Sequence, residues 1–232
     1  MRKKFFYSSA ALICLVILLF AAYKLMNARS FQVFGGITDK VETNKKIIAL
    51  TFDDGPSENV KEILSILKQY DVKATFFLIG NEIEKYPNEA KKIVQAGHQV
   101  GNHTYSHKRM VFKSPSFIKT EIDQTDQLIK EAGYQQEIVF RPPNGKKLIG
   151  LPYYLHKMDK KTITWNLEPD TYYDTPQEKI DYVIKNNQPG SIILMHPMYD
   201  KSGNELQAIE GIIRGLKKKG YSFVTVDELM ND

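Results

Sequence analysis

The hydropathy pattern divides the chain in two. An uncharged apolar run extends from Phe5 to Tyr23, behind the basic residues Arg2, Lys3 and Lys4. As a helix this run would reach about 28 Å at ~1.5 Å per residue, close to the ~30 Å hydrocarbon core of a membrane. A positive flank before the run favours a cytoplasmic N-terminus and an exported remainder. Residues 1–26 are therefore expected to form a single-pass membrane anchor with a short cytoplasmic start. A cleaved signal peptide, giving a secreted protein, is the rival reading. The sequence Lys24-Leu25-Met26 lacks the small-x-small pattern that cleavage needs. Residues 27–44 are polar and contain glycine, as a stem would. From 45 to 232 short apolar runs alternate with amphipathic stretches over a length that suits one domain.

Those short runs predict strands over 46–52, 74–79, 98–102, 138–141, 161–165, 191–195 and 222–226. Helical patterns lie between them, near 58–69, 82–96, 115–132, 146–157, 176–187 and 205–219. Ser114-Pro115 offers a capping side chain before a proline at the first helical position. Thr175-Pro176-Gln177-Glu178 adds a capping box. Gly97, Gly133 and Gly220 stand where helices should stop. Strand and helix in alternation imply a parallel sheet. About seven such units in this length suggest an α/β fold built as a closed or nearly closed barrel, with a doubly wound open sheet as the alternative. The continuous apolar runs Phe76-Phe77-Leu78-Ile79 and Ile192-Ile193-Leu194-Met195 fit strands buried on both faces.

Charge and cysteine content narrow the possibilities. The formal charge is +5, from 32 basic and 27 acidic residues. Five of the basic residues (Arg2, Lys3, Lys4, Lys24 and Arg29) lie in the first 29 positions, which hold no acid. The rest of the chain is balanced, so no basic footprint points to nucleic acid. Cys14 is the only cysteine and sits inside the apolar run, which excludes disulfides and thiol chemistry from the exported part. Nothing in the pattern calls for an obligate protein partner.

Ionisable residues collect where the strands should end. Asp53 and Asp54 follow the first strand, and Gly55-Pro56 breaks it there. His103 follows the third, Arg141 closes the fourth, Glu168 and Asp170 follow the fifth, and His196 follows the sixth. In a parallel barrel these carboxyl ends share one face, where active sites form. His103 and His107 stand at i and i+4, a spacing that puts both on one side of a helical turn. Two imidazoles and a carboxylate leave coordination positions open, as in catalytic zinc sites. Non-haem iron uses a similar set, but no oxygenase cosubstrate site is evident, so hydrolysis is preferred. Adjacent carboxylates then divide naturally, one binding a metal and the other accepting a proton from the attacking water. Arg141, a rigid fork, can hold the free base. His196 has a pKa range suited to a general acid. His98 and His156 read as structural.

At this point the residues resemble a known family. TFDDGP at 51–56, HTYSH at 103–107, RPPNG at 141–145 and LMH at 194–196 are similar to the first, second, third and fifth motifs of the polysaccharide deacetylases. These are the NodB-homology domains of carbohydrate esterase family 4. The resemblance spans about 45–230 and implies a distorted (β/α) barrel. It implies one divalent metal, usually zinc, with Co2+, Ni2+ or Mn2+ as alternatives. The implied activity is removal of N-acetyl groups from a GlcNAc- or MurNAc-type envelope polysaccharide, such as peptidoglycan or chitin-like oligomers. Carried over by position, Asp53 is the base, and Asp54, His103 and His107 are the metal ligands. Arg141 orients Asp53, His196 is the acid, Thr104 braces the metal loop, and the Asn144 backbone N–H helps bind the oxyanion. Two departures stand out. Asn144 replaces a usual aromatic residue. The fourth motif, usually Trp-x-x-Asp-x-x-Asp-Trp, here reads Trp165-Asn166-Leu167-Glu168-Pro169-Asp170-Thr171-Tyr172. An ungapped match puts Thr171 on the second acid and Tyr172 on the aromatic wall, whereas a one-residue slip puts Asp170 on that acid. Glu168 and Asp170 therefore both remain candidates for the partner of His196. A hydrolase of a small amide or imide, and a silent carbohydrate-binding relative, are the competing functions.

Overall fold

The computed structural model describes residues 2–232, with side chains described at Tyr7 and from Ala11 onward. Helix α1 (Arg2–Asn27) and a short strand β1 (Ile37–Thr38) come first. Then follow β2 (Ile47–Gly55), α2 (Val60–Gln69), β3 (Thr75–Leu78), α3 (Gly80–Lys85), α4 (Pro87–Gln95), β4 (Gln99–Asn102) and α5 (Pro115–Glu131). The chain ends with α6 (Gly150–Lys157), β5 (Thr162–Ile163), α7 (Pro176–Asn186), β6 (Ile192–Met195), α8 (Asn204–Lys218), β7 (Ser222–Val224) and α9 (Val226–Met230). The caps work as the sequence suggests. The Ser114 hydroxyl accepts from the Phe117 N–H, and Thr175 and Glu178 form a reciprocal capping box. The helical pattern over 82–96 splits in two at Pro87, whose ring cannot continue the hydrogen-bond ladder.

Among the described residues every pairing between these strands is parallel, and a single antiparallel bridge joins Lys40 to Ser191. The main sheet runs β4-β3-β2-β6, and β7 pairs with the first half of β2. β1 and β5 form a separate two-stranded sheet. The α/β expectation holds, but the ladder does not close into a barrel. The strand expected over 138–141 contributes only Phe140, through single bridges to Asn102 and Thr162, and Leu167 bridges to Ile193. Pro142 and Pro143 follow immediately and lack the N–H groups that a longer ladder needs.

Strand parity places the chemistry. Side chains alternate between the two faces of a strand. In β2 the residues Ile48, Leu50 and Phe52 join the core beneath α2, α4 and α8, with Ile63, Leu67, Ile93, Ile209 and Ile212. Ala49 faces the other way, into a smaller cluster with Phe77, Val139, Ile163, Trp165, Ile192 and Leu194. The same inward parity, followed to the carboxyl ends of the strands and of the 138–141 segment, gives Asp53, His103, Arg141 and His196 at one end of this cluster. Gly101 shares that interior. A Cβ there would lie 2.5 Å from the Phe77 ring, so only glycine leaves room for the ring.

α1 is a helix, but among the described residues no helix is long and apolar enough to cross a membrane. The basic start, together with Phe5 and Phe6, has side chains outside the described residues. The polar stem that follows is packed: Gln32 is buried, β1 pairs with β5, and the Val41 N–H donates to the Gly190 carbonyl over 2.9 Å.

Candidate active site

A cleft of about 240 Å³ opens at the carboxyl ends of the strands. It is lined by Arg29, Asp53, Asp54, His103, His107, Asn144, Trp165, Glu168, Thr171 and His196. Asp53 lies at the end of β2 and is almost fully buried. Arg141, also fully buried, donates through Nη1 to Asp53 Oδ1 over 2.7 Å and to Thr51 Oγ1 over 2.8 Å, and through Nη2 to the Thr164 carbonyl over 2.9 Å. Its guanidinium carbon sits 3.9 Å from the Phe77 ring centroid. A charge-assisted fork of this kind holds a carboxylate in one orientation.

Asp54, His103 and His107 converge so that one ligand atom from each lies within 4.8 Å of the others. Asp54 Oδ1 is 3.1 Å from His107 Nε2 and 3.5 Å from His103 Nε2. The histidines do not share a helical turn as their spacing suggested. They sit on a loop in which Thr104 and His107 adopt positive φ, 68° and 54°, and this turn brings the rings to a 4.9 Å centroid separation. Thr104 Oγ1 accepts from the His107 N–H over 3.1 Å and so holds the loop. Among the described residues, seven non-glycine positions have positive φ, and four of them, Asp54, Thr104, His107 and Asn144, surround this cleft. Such left-handed backbone is costly for residues with a Cβ and collects where geometry matters.

The donor set fits a divalent cation. His103 Nδ1 lies 2.8 Å from the Arg141 carbonyl, which can only accept, so this nitrogen carries the hydrogen and Nε2 is free to ligate. Asp54 Oδ1 is buried without a hydrogen-bond partner. Burial pushes the Asp54 carboxyl up, but His103, His107 and His196 outweigh it and hold the group at about 2. Burial likewise lowers His103, and Asp53 and Asp54 together more than reverse this. Both shifts favour an ionised Asp54 carboxylate facing positive charge, the form that can ligate a cation.

On the opposite side His196 meets Asp170. Its backbone N–H donates to Asp170 Oδ2 over 2.8 Å, and its Nδ1 lies 3.2 Å from the same oxygen. Asp170 is in turn 3.2 Å from the buried Lys179 ammonium, which also pairs with Glu205. Burial would lower His196, but the Asp170 hydrogen bond and the charges of Asp53, Asp54 and Asp170 raise it to about 9. The choice left open between the two acids is thus decided geometrically for Asp170. Glu168 instead accepts from the Trp165 indole N–H over 2.9 Å and from Arg29 over 2.8 Å. Tyr172 is exposed and does not line the cleft; its ring lies 6.1 Å from that of Tyr182. The aromatic ring that lines the cleft belongs to Trp165. Asn144 lines the cleft, with φ 53° and its side-chain oxygen accepting from Arg109 over 3.2 Å. Arg29 is the lining residue that the sequence concealed. It belongs to the stem and reaches Glu168 across 139 positions, and no local pattern signals such a contact.

Residues 40–163 match the family model described as polysaccharide deacetylase. The chain belongs to the polysaccharide deacetylase family. A peptidoglycan-N-acetylglucosamine deacetylase of Bacillus cereus is 34% identical over 207 residues, covering 87% of this chain and 96% of the relative. The peptidoglycan-N-acetylmuramic acid deacetylase PdaC of Bacillus subtilis is 34% identical over 82% of this chain and 40% of its own length. Among solved structures, the Bc1960 peptidoglycan N-acetylglucosamine deacetylase superposes with a TM-score of 0.79 at 34% identity, covering 84% of this chain and 92% of that one. BA3943 of Bacillus anthracis, a CE4 family pseudoenzyme, superposes with a TM-score of 0.76 at 32% identity, covering 85% and 70%.

The geometry leads to a direct expectation about metal. Dialysed protein should take up about one equivalent of Zn2+ or Co2+ by titration calorimetry and elemental analysis. His103→Ala should abolish stoichiometric uptake, whereas Asp53→Asn should retain it. Full uptake by His103→Ala would refute the ligand set.

Proposed function

We propose that this chain removes N-acetyl groups from an N-acetylated glycan of the cell envelope, with peptidoglycan as the substrate class. One observation carries this reading. An arginine-locked carboxylate, a cation-ready Asp-His-His set and a carboxylate-backed imidazole line one cleft, in a chain whose relatives include peptidoglycan deacetylases. Relatives directed at both N-acetylglucosamine and N-acetylmuramic acid match it at 34% identity, so the proposal stops at the class.

The chemistry follows from the residues. Asp54, His103 and His107 would hold a divalent cation, which when bound supplies Lewis acidity at the acetyl carbonyl. Asp53, kept in place by Arg141, accepts a proton from the water that attacks the carbonyl carbon. The backbone N–H of Asn144 would donate to the oxygen that gains negative charge. His196 carries a proton on each nitrogen below its raised pKa. Asp170 takes the Nδ1–H, which leaves the Nε2–H for the departing amine as the C–N bond breaks. Acetate and a free amino sugar result. The structural likeness to a pseudoenzyme supports one rival, a glycan-binding protein without turnover, and acetate release separates the two.

We further propose that the catalytic domain works outside the cytoplasm, carried there by the N-terminal segment. The basic start, and the exposed apolar side chains Leu12 to Phe20 of α1, support this. In intact cells, external protease should cleave the domain; protection until lysis would argue against export.

The full chain should release acetate from peptidoglycan or chitin oligomers, and a chelator should stop the release until Zn2+ is returned. Asp53→Asn should lower the rate by roughly 10²–10⁴-fold, the usual worth of a general base. A loss of less than about tenfold would move the base elsewhere.

The pH profile tests His196. Its acid form is present below its raised pKa of about 9 and is lost above it, so activity should fall on the alkaline side. Asp170→Asn removes the interaction that raises this pKa. The alkaline limb should then move to lower pH. An unmoved limb would detach Asp170 from the acid.

A further inference from the structure

The stem is bound to the catalytic domain on both sides of Arg29. The Lys147 N–H donates to the Met26 carbonyl over 3.3 Å, and the Lys147 ammonium donates to the Ala28 carbonyl. Lys146 donates to the Asn27 side chain. The Thr164 hydroxyl donates to the Arg29 carbonyl over 2.6 Å, and the buried Gln32 donates to Thr162 Oγ1 over 3.2 Å. This fixes the backbone from which the Arg29 side chain enters the cleft. There its guanidinium carbon lies 4.7 Å from the Trp165 ring centroid, and Nη2 donates to Glu168 Oε2 over 2.8 Å. The Trp165 indole N–H donates to the same oxygen over 2.9 Å. The Glu168 side chain is only 10% exposed, and Arg29 is the cation that pairs with it.

We propose that Arg29 is a positioning residue of the active site, which clamps Trp165 through the Glu168 carboxylate and by stacking on the ring. Trp165 borders Asp53, Asp54, His103, His107 and His196 in the cleft, so its orientation shapes the wall against which a sugar ring packs. A nearly buried carboxylate without its cation is costly. Losing Arg29 would therefore release Glu168 from its site and free the indole with it. The stem thereby contributes to the site, although Arg29 lies before the family match that begins at residue 40. The inference rests on the proposed deacetylation for its kinetic arm only.

Trp165 is the only tryptophan in the chain, so intrinsic fluorescence reads the clamp directly. The full-length protein, Arg29→Ala and Arg29→Lys are compared by acrylamide quenching, thermal melting and steady-state kinetics on an N-acetylglucosamine oligomer. Arg29→Ala should raise the quenching constant about twofold and KM about tenfold, with kcat changed by less than about threefold, because the loss falls on sugar binding rather than bond making. Arg29→Lys keeps the charge without the planar fork and should fall between. It also serves as the folded comparison if Arg29→Ala melts early. Unchanged quenching in both variants overturns the proposal, and so does increased quenching with an unchanged KM. If the unaltered chain releases no acetate, the proposed function fails, while the quenching comparison still decides whether Arg29 holds Trp165.

Discussion

The ion pair between Arg141 and Asp53 is the contact on which this site depends. Arg141 is fully buried and follows Phe140, the one residue that its segment contributes to the pairing. Its guanidinium ties that segment to Thr51 and Asp53 of β2 and to Thr164 beyond β5. Where backbone pairing between the two sheets is reduced to single bridges, this side chain spans the gap. Burying two charges carries a large desolvation cost that a hydrophobic pair would avoid. That cost argues for a functional reason to keep a carboxylate at Asp53, and a base beside a cation site is such a reason.

Each acid of the cleft has a different counterpart. Asp53 has Arg141, Glu168 has Arg29, and Asp170 has His196 and Lys179. Asp54 alone faces only imidazoles, and one of its oxygens is buried without a hydrogen bond. The missing charge and the missing bond coincide at one point, which is why the cluster suits a divalent cation. Left-handed backbone at Asp54, Thr104 and His107 aims these donors, and the surrounding pairs hold it there.

Several features were legible because they rest on local physics. Pro115, Thr175 and Glu178 start helices through their own side chains and rings. Asp53 and Asp54 end a buried strand just before a Gly-Pro break. Others were misread where a local rule met a tertiary one. The i, i+4 histidines suggested a helical turn, yet a loop brings them together. The run 138–141 has strand character, but two prolines follow and only Phe140 forms bridges. Tyr172 matched the aromatic of the fourth motif, whereas the turn at Pro169–Thr171 presents Asp170 to His196 and leaves Tyr172 outside.

The sequence by itself determined the alternation of strands and helices, the strand-end chemistry and the candidate cation ligands, because periodicity, capping and strand parity act over a few residues. Only the tertiary structure decided that Asp170 and not Glu168 meets His196, that Trp165 forms the wall, and that Arg29 reaches the cleft from the stem. These contacts link positions 26 to 139 residues apart, apart from the Trp165–Glu168 bond. They are set by how the elements pack around Arg141, and no local pattern encodes that packing.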